Sequence, residues 1–409
     1  LPNVVVNSDA GNGVGYTGIR LRGTDAARIN VTLNGIPYND AESQGTFFVD
    51  LPDFSSSINS IQVQRGIGTS SNGAGAFGAT INLSTNELNK IKYISTNNSY
   101  GSFNTWKNNI QFGSGLLGKN FTIDGRVSRI SSDGYIDRAK SNLRSFYLST
   151  AFVTKKNSLR FNIFSGKEKT YQAWNGVAAN LLQTDRTHNP SGTEKPGAPY
   201  DNEVDDYTQT HYQLFYNHKF NKYWKGNVAV FLTRGKGYYE QYKANKKLAD
   251  YNLPDYLDGN DTIKRTDIVR RLWLDNYFYG TIFSLQYQKN KTQLIFGGGY
   301  NAYEGKHYGK LKWAAVQAAV PQGYRWYDLT AYKKDFTVYN KWIQQWGANW
   351  QGFADLQFRN IHYTINGFRD NPSMQVREDY NFLNPKLGFT YINKGWQVYA
   401  SYALATKEP

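Results

Sequence analysis

The sequence contains no cysteine and no long hydrophobic run. Without cysteine the chain can form neither a disulfide framework nor a thiolate metal site, which suits an exported protein. The longest helix-like apolar stretch, Trp313–Pro321, is far too short to cross a bilayer as a helix. These absences exclude a disulfide scaffold and a bundle of transmembrane helices.

Aromatic residues are abundant, at 16% of the chain, although the mean hydropathy is only −0.63. Between Asn340 and Phe358 the even positions, such as Trp342 and Trp350, are mostly apolar, whereas the odd positions are polar. The segments around 212–220 and 396–404 alternate in the same way. A period of two predicts membrane-crossing strands with one apolar face, and it predicts Asn340–Phe358 as a single strand.

Connections of two lengths separate these strands and alternate along the chain. Short polar turns are predicted at Gly115–Asn120, Lys155–Asn157, Asn221–Lys222, Lys289–Lys291, Arg359–Asn360 and Asn393–Gly395. Long segments are predicted near Ser131–Asn142, Gly166–Tyr207, Gly235–Thr266, Tyr303–Asp335 and Asn366–Tyr380. Tight turns at one end and long loops at the other are typical of outer-membrane barrels.

The N-terminal part has a different character. Three β-type runs, Ile29–Leu33, Ser60–Arg65 and Thr80–Ser84, are separated by segments rich in Gly, Asn, Ser and Asp, which form tight turns. The motifs around these runs are Arg22-Gly23, Leu33–Pro37, Ile61–Gly66, and Phe77-Gly78 followed by Ile81–Thr85. In this order they resemble the plug domain of TonB-dependent outer-membrane transporters. Asn34 and Gln62 depart from the family pattern, where Asp and Glu are common.

The resemblance implies a mainly β protein, with a small α+β plug at residues 1–88 inside a transmembrane antiparallel barrel at residues 89–409. About 22 strands are expected in a complete barrel of this type, and roughly 13 are counted here. We therefore expect about nine C-terminal strands, the early plug and the TonB box to lie outside this sequence. The implied location is the outer membrane of a Gram-negative bacterium, and the implied partners are a TonB-type energy-transducing protein, lipopolysaccharide and outer-membrane lipid.

Ligand-binding residues follow from the same resemblance, which places apical plug loops at Asn12–Thr17, Thr24–Ala27 and Tyr38–Phe48. The predicted ligand-facing residues are Asp40, Glu42, Ser43, Gln44 and Phe47, with Tyr16 and Asp25 behind them and Trp174, His307 and Trp313 in the long loops. Solvated loop tips are the alternative for each of these residues. Arg22 and Arg65 resemble the two plug arginines that lock the plug by pairing with barrel carboxylates.

The remaining motifs give little evidence for a function. Gly73, Gly75 and Gly78 spell a dinucleotide-binding fingerprint, but a strand follows instead of a helix, so a structural turn is the better interpretation. The acidic segment 250–261 could bind Ca²⁺, although its spacing does not fit an EF-hand. Asp205 and Asp206 are adjacent in a predicted loop, with nothing to perturb their pKa values. We predict no catalytic site, resident metal or cofactor.

Net charge is +15, but the basic residues are scattered, so nucleic-acid binding is not predicted. Basic loops facing lipopolysaccharide or attracting an anionic metal chelate account for this charge equally well. The run Gln64–Ser70 is closer to the iron-chelate and cobalamin branch of the family than to its glycan-importing branch. A ferric siderophore or similar metal chelate is therefore the predicted substrate, with cobalamin, haem or an oligosaccharide as alternatives. A passive porin, an outer-membrane barrel enzyme and a secreted β-sandwich adhesin are the alternatives from other classes.

Overall fold

The computed structural model describes residues 4–70 and 78–408. The predicted turn glycines Gly73 and Gly75, and Phe77 of the closing motif, lie outside the described residues. No described helix is long and apolar enough to span a membrane.

A small N-terminal domain contains two short sheets. Its strands are β1 (Val4–Ser8), β2 (Thr17–Leu21), β3 (Ile29–Leu33), β4 (Ile36–Pro37), β5 (Ser60–Arg65) and β6 (Ala79–Ser84). β1 pairs with β2, and the other four form a sheet in the order β4-β3-β6-β5 in which β3 and β6 are parallel. The helical part of the described domain is three short 3-10 helices at Ala26–Arg28, Phe48–Asp50 and Phe54–Ser57.

The predicted turn after β3 is present. Asn34 and Gly35 have φ values of 58° and 85°, the left-handed conformation that a two-residue hairpin turn requires and that Asn and Gly tolerate best. Asn34 Nδ2 also donates a hydrogen bond of 2.9 Å to Gln213 Oε1 of the large sheet. The residue that replaces the common Asp therefore shapes the turn and attaches it to its surroundings.

The remainder forms one antiparallel sheet of 13 strands and a separate small hairpin. The strands are β7 (Lys92–Gly101), β8 (Thr105–Ser114), β9 (Phe121–Ser132), β10 (Ser141–Val153), β11 (Asn157–Tyr171), β12 (Val204–Lys219), β13 (Trp224–Lys247), β14 (Tyr256–Asp258), β15 (Asp261–Ile263), β16 (Arg265–Lys289), β17 (Thr292–Ala314), β18 (Arg325–Trp346), β19 (Trp350–Phe368), β20 (Asn371–Asn393) and β21 (Trp396–Ala403). β14 and β15 make up the hairpin, and β7 and β21 are the two edges of the sheet. The mainly β fold and the strand count agree with the sequence analysis.

Connections lie at two ends of the sheet. At one end, which we call the turn end, they are residues 115–120, 154–156, 220–223, 290–291, 347–349 and 394–395. At the other, the loop end, they are residues 102–104, 133–140, 172–203, 248–264, 315–324 and 369–370. Two predicted connections were wrong: Arg359–Asn360 is inside β19, and Asn366–Tyr380 contains a two-residue turn instead of a long loop. The predicted long segments Gly235–Thr266 and Tyr303–Asp335 contain shorter loops, because β13, β17 and β18 extend into them.

The misplaced turn has a simple geometric cause. Trp346 pairs with Trp350 across residues 347–349, so paired residues of β18 and β19 differ by an even number. Residues of the same parity then share a face in both strands, and the period-two pattern continues through the turn without a break. Asn340–Phe358, predicted as one strand, is the end of β18, a turn and the beginning of β19.

The large sheet wraps around the N-terminal domain. Asp53 of this domain, which we call the plug, pairs with Lys107 on β8, and Gly68 O of the same domain accepts a hydrogen bond from Lys386 on β20. Strands near both edges of the sheet therefore contact the same small domain. In β12 the inward His211 is 5% exposed, whereas Tyr212, on the outer face, is 37% exposed. The core consists of apolar residues of β3 and β6 packed with Phe54 and with Tyr147 and Phe164 of the large sheet.

Candidate functional site

A cavity of about 360 Å³ lies between the plug and the loop end of the sheet. Its floor is the plug segment 38–50, and its walls come from β11, β12, β13, β16, β17 and β18. We call it the upper cavity. Six of the ten residues predicted to face a ligand line it: Tyr16, Asp40, Glu42, Ser43, Phe47 and His307.

The other four predicted residues lie elsewhere. Trp174, in the 172–203 loop, packs edge-on against Tyr16 with ring centroids 6.2 Å apart. Gln44 lines a different cavity, Asp25 pairs with Arg28 at 3.5 Å, and Trp313 stacks on Tyr242. Both His307 and Trp313 were predicted in a long loop, but they belong to β17.

Short polar side chains hold the floor of the upper cavity in shape. Asn39 accepts a hydrogen bond from Val31 N at 2.7 Å and donates to Ile29 O at 2.9 Å, which attaches the segment to β3. Asp40 Oδ1 accepts from the amide of Ser43 at 2.7 Å and from its hydroxyl at 2.8 Å. Asx turns of this kind replace backbone pairing in loops, so the floor is ordered by its own sequence.

Glu42 reaches from the floor to the wall. His307 Nε2 lies 2.8 Å from Glu42 Oε2, and both side chains are about one-third exposed. Gly305, on the same strand, leaves room for this contact, because a Cβ there would lie 2.7 Å from Glu42 Oε1. Both residues were predicted separately from the sequence, but only the fold brings them together.

Three further carboxylates lie deeper in the cavity. The Tyr16 hydroxyl lies 2.7 Å from Asp205 Oδ2 and 3.0 Å from Glu168 Oε1, and can donate to either. Burial, followed by the charges of Glu168, Asp205 and Asp50, raises the pKa of Tyr16 well above its usual value. This hydroxyl therefore remains a hydrogen-bond donor across the physiological pH range.

Asp50 is the most isolated of the three. It is 6% exposed, and it forms no side-chain hydrogen bond with any residue in the described part of the chain. Burial, and then the negative charges of Asp205 and Asp40, raise the pKa of its carboxyl well above the usual range. Sequence reasoning missed Asp50 and Glu168, since nothing in the linear sequence relates residues 50, 168 and 205.

The interpretation of Asp205 and Asp206 as loop carboxylates was wrong. β12 begins at Val204, so both residues are in a strand, and Asp205 faces Tyr16 and the carboxylates beneath it. The alternation seen at 211–216 does not extend back to residue 204, since Asp206, Thr208 and Thr210 occupy positions that are apolar further along the strand, so no simple pattern marked this part of β12.

The plug is attached to the sheet by contacts other than those predicted. Arg22 and Arg65 are exposed, and neither forms an ion pair with a described residue, so their locking role stays a prediction. Instead, the plug carboxylate Asp53 lies 2.5 Å from Lys107 Nζ and 3.7 Å from Arg126 Nη1. The charges are reversed relative to the predicted lock, with the anion on the plug and the cations on the sheet.

A second, larger cavity of about 500 Å³ extends from the plug towards the turn end. Arg359 there binds Asp335 at 2.6 Å and Glu408 at 2.9 Å, and Lys333 binds Glu408 at 2.7 Å. Its charges are thus matched within the protein. Asp40 lines both cavities, which places it between them.

Among the described residues, no group of three or more His, Asp or Glu side chains is arranged to hold a metal ion. The carboxylates of the upper cavity instead lie among aromatic rings, which include Phe47 of the floor and Tyr207, Tyr239 and Trp273 of the walls. Such a site can bind a ligand by charge and by ring contacts.

Residues 1–80 match the family model described as the TonB-dependent receptor plug domain. Among solved structures, the chain is similar to the ferric-catecholate import receptor Fiu from E. coli K12, at 16% identity and a TM-score of 0.67, over 96% of this chain and 65% of that one. It is also similar to the ferripyoverdine receptor of the Pseudomonas aeruginosa outer membrane, at 13% identity and a TM-score of 0.69. This match covers 98% of this chain and 53% of that receptor. For the FrpB iron transporter from Neisseria meningitidis the identity is 16% and the TM-score is 0.67. This match covers 100% of this chain and 61% of that transporter.

No curated protein sequence matches the chain. It spans between about half and two-thirds of the length of these solved structures. The chain carries a TonB-dependent receptor plug domain, and its fold is that of TonB-dependent receptors, as the sequence analysis predicted.

Proposed function

We propose that this chain is the plug and part of the barrel of an outer-membrane receptor of a Gram-negative bacterium. The receptor binds an extracellular metal chelate, such as a ferric siderophore, and a TonB-type protein supplies the energy for its import. The loop end faces the exterior, and the apolar outer face of the sheet contacts outer-membrane lipid and lipopolysaccharide.

The observation that carries this proposal is the position of the upper cavity. It lies where the apical plug segment meets the loop end of the sheet, and six residues expected to face a ligand line it. A cavity of about 360 Å³ falls within the usual range for small-molecule sites. The three solved structures described above are, by their own descriptions, receptors or transporters for iron or its chelates, which favours a metal chelate over cobalamin, haem or an oligosaccharide.

The plug argues against the alternatives from other classes. A passive porin needs an open lumen, whereas this plug is attached by hydrogen bonds and ion pairs to strands from β8 to β20. A barrel enzyme would need a nucleophile or an acid–base pair at a strand end. Glu168 and Asp205 are instead hydrogen-bonded by Tyr16, which suits a binding wall.

Uptake measurements test the proposal directly. A strain lacking this receptor would be supplied with the full-length gene and given radioactive ferric chelates, cobalamin, haem or labelled oligosaccharides. We expect uptake of a ferric chelate that stops when the energy-transducing protein is deleted. Uptake that continues without that protein would indicate a passive pore, and uptake of only a glycan would overturn the metal-chelate assignment.

Purified full-length protein provides the matched binding experiment. Each candidate ligand is tested for protection of the 38–50 segment against protease, with Asp133→Asn in the 133–140 loop as a control that leaves the cavity intact. Protection by a ferric chelate supports the proposal. Protection by cobalamin, haem or a glycan alone would identify another substrate.

A further inference from the structure

The upper cavity is strongly acidic in a basic protein. Five carboxylates line it, namely Asp40, Glu42, Asp50, Glu168 and Asp205, and its described lining contains neither Lys nor Arg. The whole chain has 47 basic residues and a net charge of +15. The cavity therefore concentrates acidic groups in a molecule whose net charge would attract anions.

Nearby cations are bound to other groups. Arg271 lies over the ring of Tyr238 and binds Glu240 at 2.6 Å. Arg270 donates to Gln241 at 2.8 Å, and Arg369 pairs with Asp370 at 3.0 Å. Within the described lining, His307 beside Glu42 can carry a positive charge, whereas Asp50, Glu168 and Asp205 have no cationic partner among the described residues.

Asp50 is a second and independent observation. A buried carboxylate normally acquires a cation or several hydrogen bonds, because burial of an unpaired charge is costly. Glu240, Glu408 and Asp53 follow this rule, with Arg271, Arg359 and Lys107 as partners. Asp50 is more than nine-tenths buried and lines the cavity, yet it has no such partner among the described residues. The cavity that Asp50 lines has room for such a partner.

Aromatic rings complete the environment. Tyr16 and Phe47 line the same space, and no described Lys or Arg lies over either ring, whereas Arg271 lies over Tyr238, another ring of the lining. The face of an aromatic ring attracts a cation, most strongly when water is excluded. Carboxylates and aromatic rings around one cavity form a combined site for an ammonium or guanidinium group.

We propose that the upper cavity selects ligands that carry a positively charged organic group, which binds Asp50, Glu168 and Asp205 and the surrounding aromatic rings. This assignment rests on the proposed role of the cavity as the ligand site of an import receptor. Because the described carboxylates do not form a metal-binding group, the cation is an amine or guanidinium of the ligand and not a bare metal ion.

Two pairs of probes that differ in charge test this inference on the full-length receptor in detergent. Ferrioxamine B, a ferric trihydroxamate that ends in a protonated amine, is compared with its N-acetylated, uncharged form. Choline is compared with 3,3-dimethylbutanol, its neutral carbon isostere. Binding is measured by calorimetry for the native protein, for Asp50→Asn, and for Asp133→Asn as the control.

We expect the charged member of at least one pair to bind at least about tenfold more tightly than its neutral counterpart, since a charge-assisted contact contributes at least that much. Asp50→Asn should remove most of this preference, whereas Asp133→Asn should retain it. If Asp50→Asn does not fold, Asp205→Asn, at a half-buried position, replaces it. Equal or tighter binding of both neutral probes, or a preference that survives both cavity variants, would overturn the inference.

The outcomes separate the inference from the proposed function. Ferric chelates that bind without any charge preference would refute the cation site and leave the receptor function standing. A choline preference that depends on Asp50, together with no binding of any ferric chelate, would support the cation site and refute the metal-chelate assignment.

Discussion

Asp50 and Asp53 are three positions apart in the plug, and both are buried, at 6% and 8% exposure. Asp53 is surrounded by donors, since Lys107, Asn109 and Ser128 all reach its carboxylate from the sheet. Asp50 lies among other carboxylates and has no side-chain hydrogen bond within the described chain. These surroundings lower the pKa of Asp53 and raise the pKa of Asp50.

The difference shows that burial alone does not define the role of a carboxylate. With partners of opposite charge, a buried Asp attaches one domain to another. Without such partners, a buried Asp lacks hydrogen-bond donors and a counter-charge, and a ligand can supply both. The following experiments test this contrast, beginning with the variant for which we expect the largest effect.

Asp53→Asn should loosen the plug by about 3–5 kcal/mol, because it leaves Arg126 buried without its counter-charge. Hydrogen exchange of the β3 and β6 amides in detergent measures the free energy of opening. Asp25→Asn is the matched control, since Asp25 and Arg28 are both more than half exposed and their ion pair contributes little. Equal exchange in the two variants would show that Asp53 is not an attachment point.

The attachment should also depend on pH. Burial by itself would raise the pKa of Asp53, but hydrogen bonds from Lys107, Ser56, Asn109 and Ser128 outweigh it and hold the pKa below its usual value. Its contribution is therefore present above the pKa of the unfolded chain and is lost as the pH falls through the lower folded value. Exchange of the plug amides should accelerate in that acidic range, and Asp53→Asn should remove this component.

Gly166→Ala should destabilise the same region by about 1–3 kcal/mol, a typical cost of overpacking. A Cβ at Gly166 on β11 would lie 2.0 Å from Asp50 O and 2.6 Å from Pro52 Cδ, so the segment between the two aspartates would have to move. Gly101→Ala is the control, because its Cβ would meet nothing closer than 4.0 Å. Similar thermal unfolding of both variants would contradict the close approach.

Asp50→Asn should change the stability of the plug in the opposite direction to Asp53→Asn. The raised pKa means that the folded state binds more protons than the unfolded state, so stability falls as the pH rises from the unfolded to the folded pKa of Asp50. Removing the charge should stabilise the plug at neutral pH by an amount on the order of 1 kcal/mol. The gain should vanish in acid, below both pKa values. A loss of stability at neutral pH would mean that Asp50 has a partner in the free protein.

Glu42→Gln should have the smallest effect on stability, below about 1 kcal/mol, because the Glu42–His307 pair is about one-third exposed. High salt should shrink the effect further, since an exposed pair is screened. Unfolding at low and high ionic strength measures both effects. A large loss that salt does not change would indicate that this contact organises the floor of the cavity.

Local patterns in the sequence predicted most of the fold. The two-residue period identified the large sheet, and the run of turn residues around Asn34 and Gly35 identified a plug motif. The pattern failed at residues 347–349, where pairing of same-parity residues hides the turn. The strands also continue past the membrane-spanning length, with 25 residues in β16, which is why His307 and Trp313 were misplaced in a loop.

For the candidate site the sequence alone determined less. It determined the Asx turn at Asp40 and the plug segment that forms the floor, because these depend on neighbouring residues. Only the tertiary structure decided which carboxylates remain without partners. Residues 50, 168 and 205 lie close together because of the register of β11 and β12 and the position of the plug. The energy of a charge depends on the groups that are near it in space, whatever their separation in the sequence.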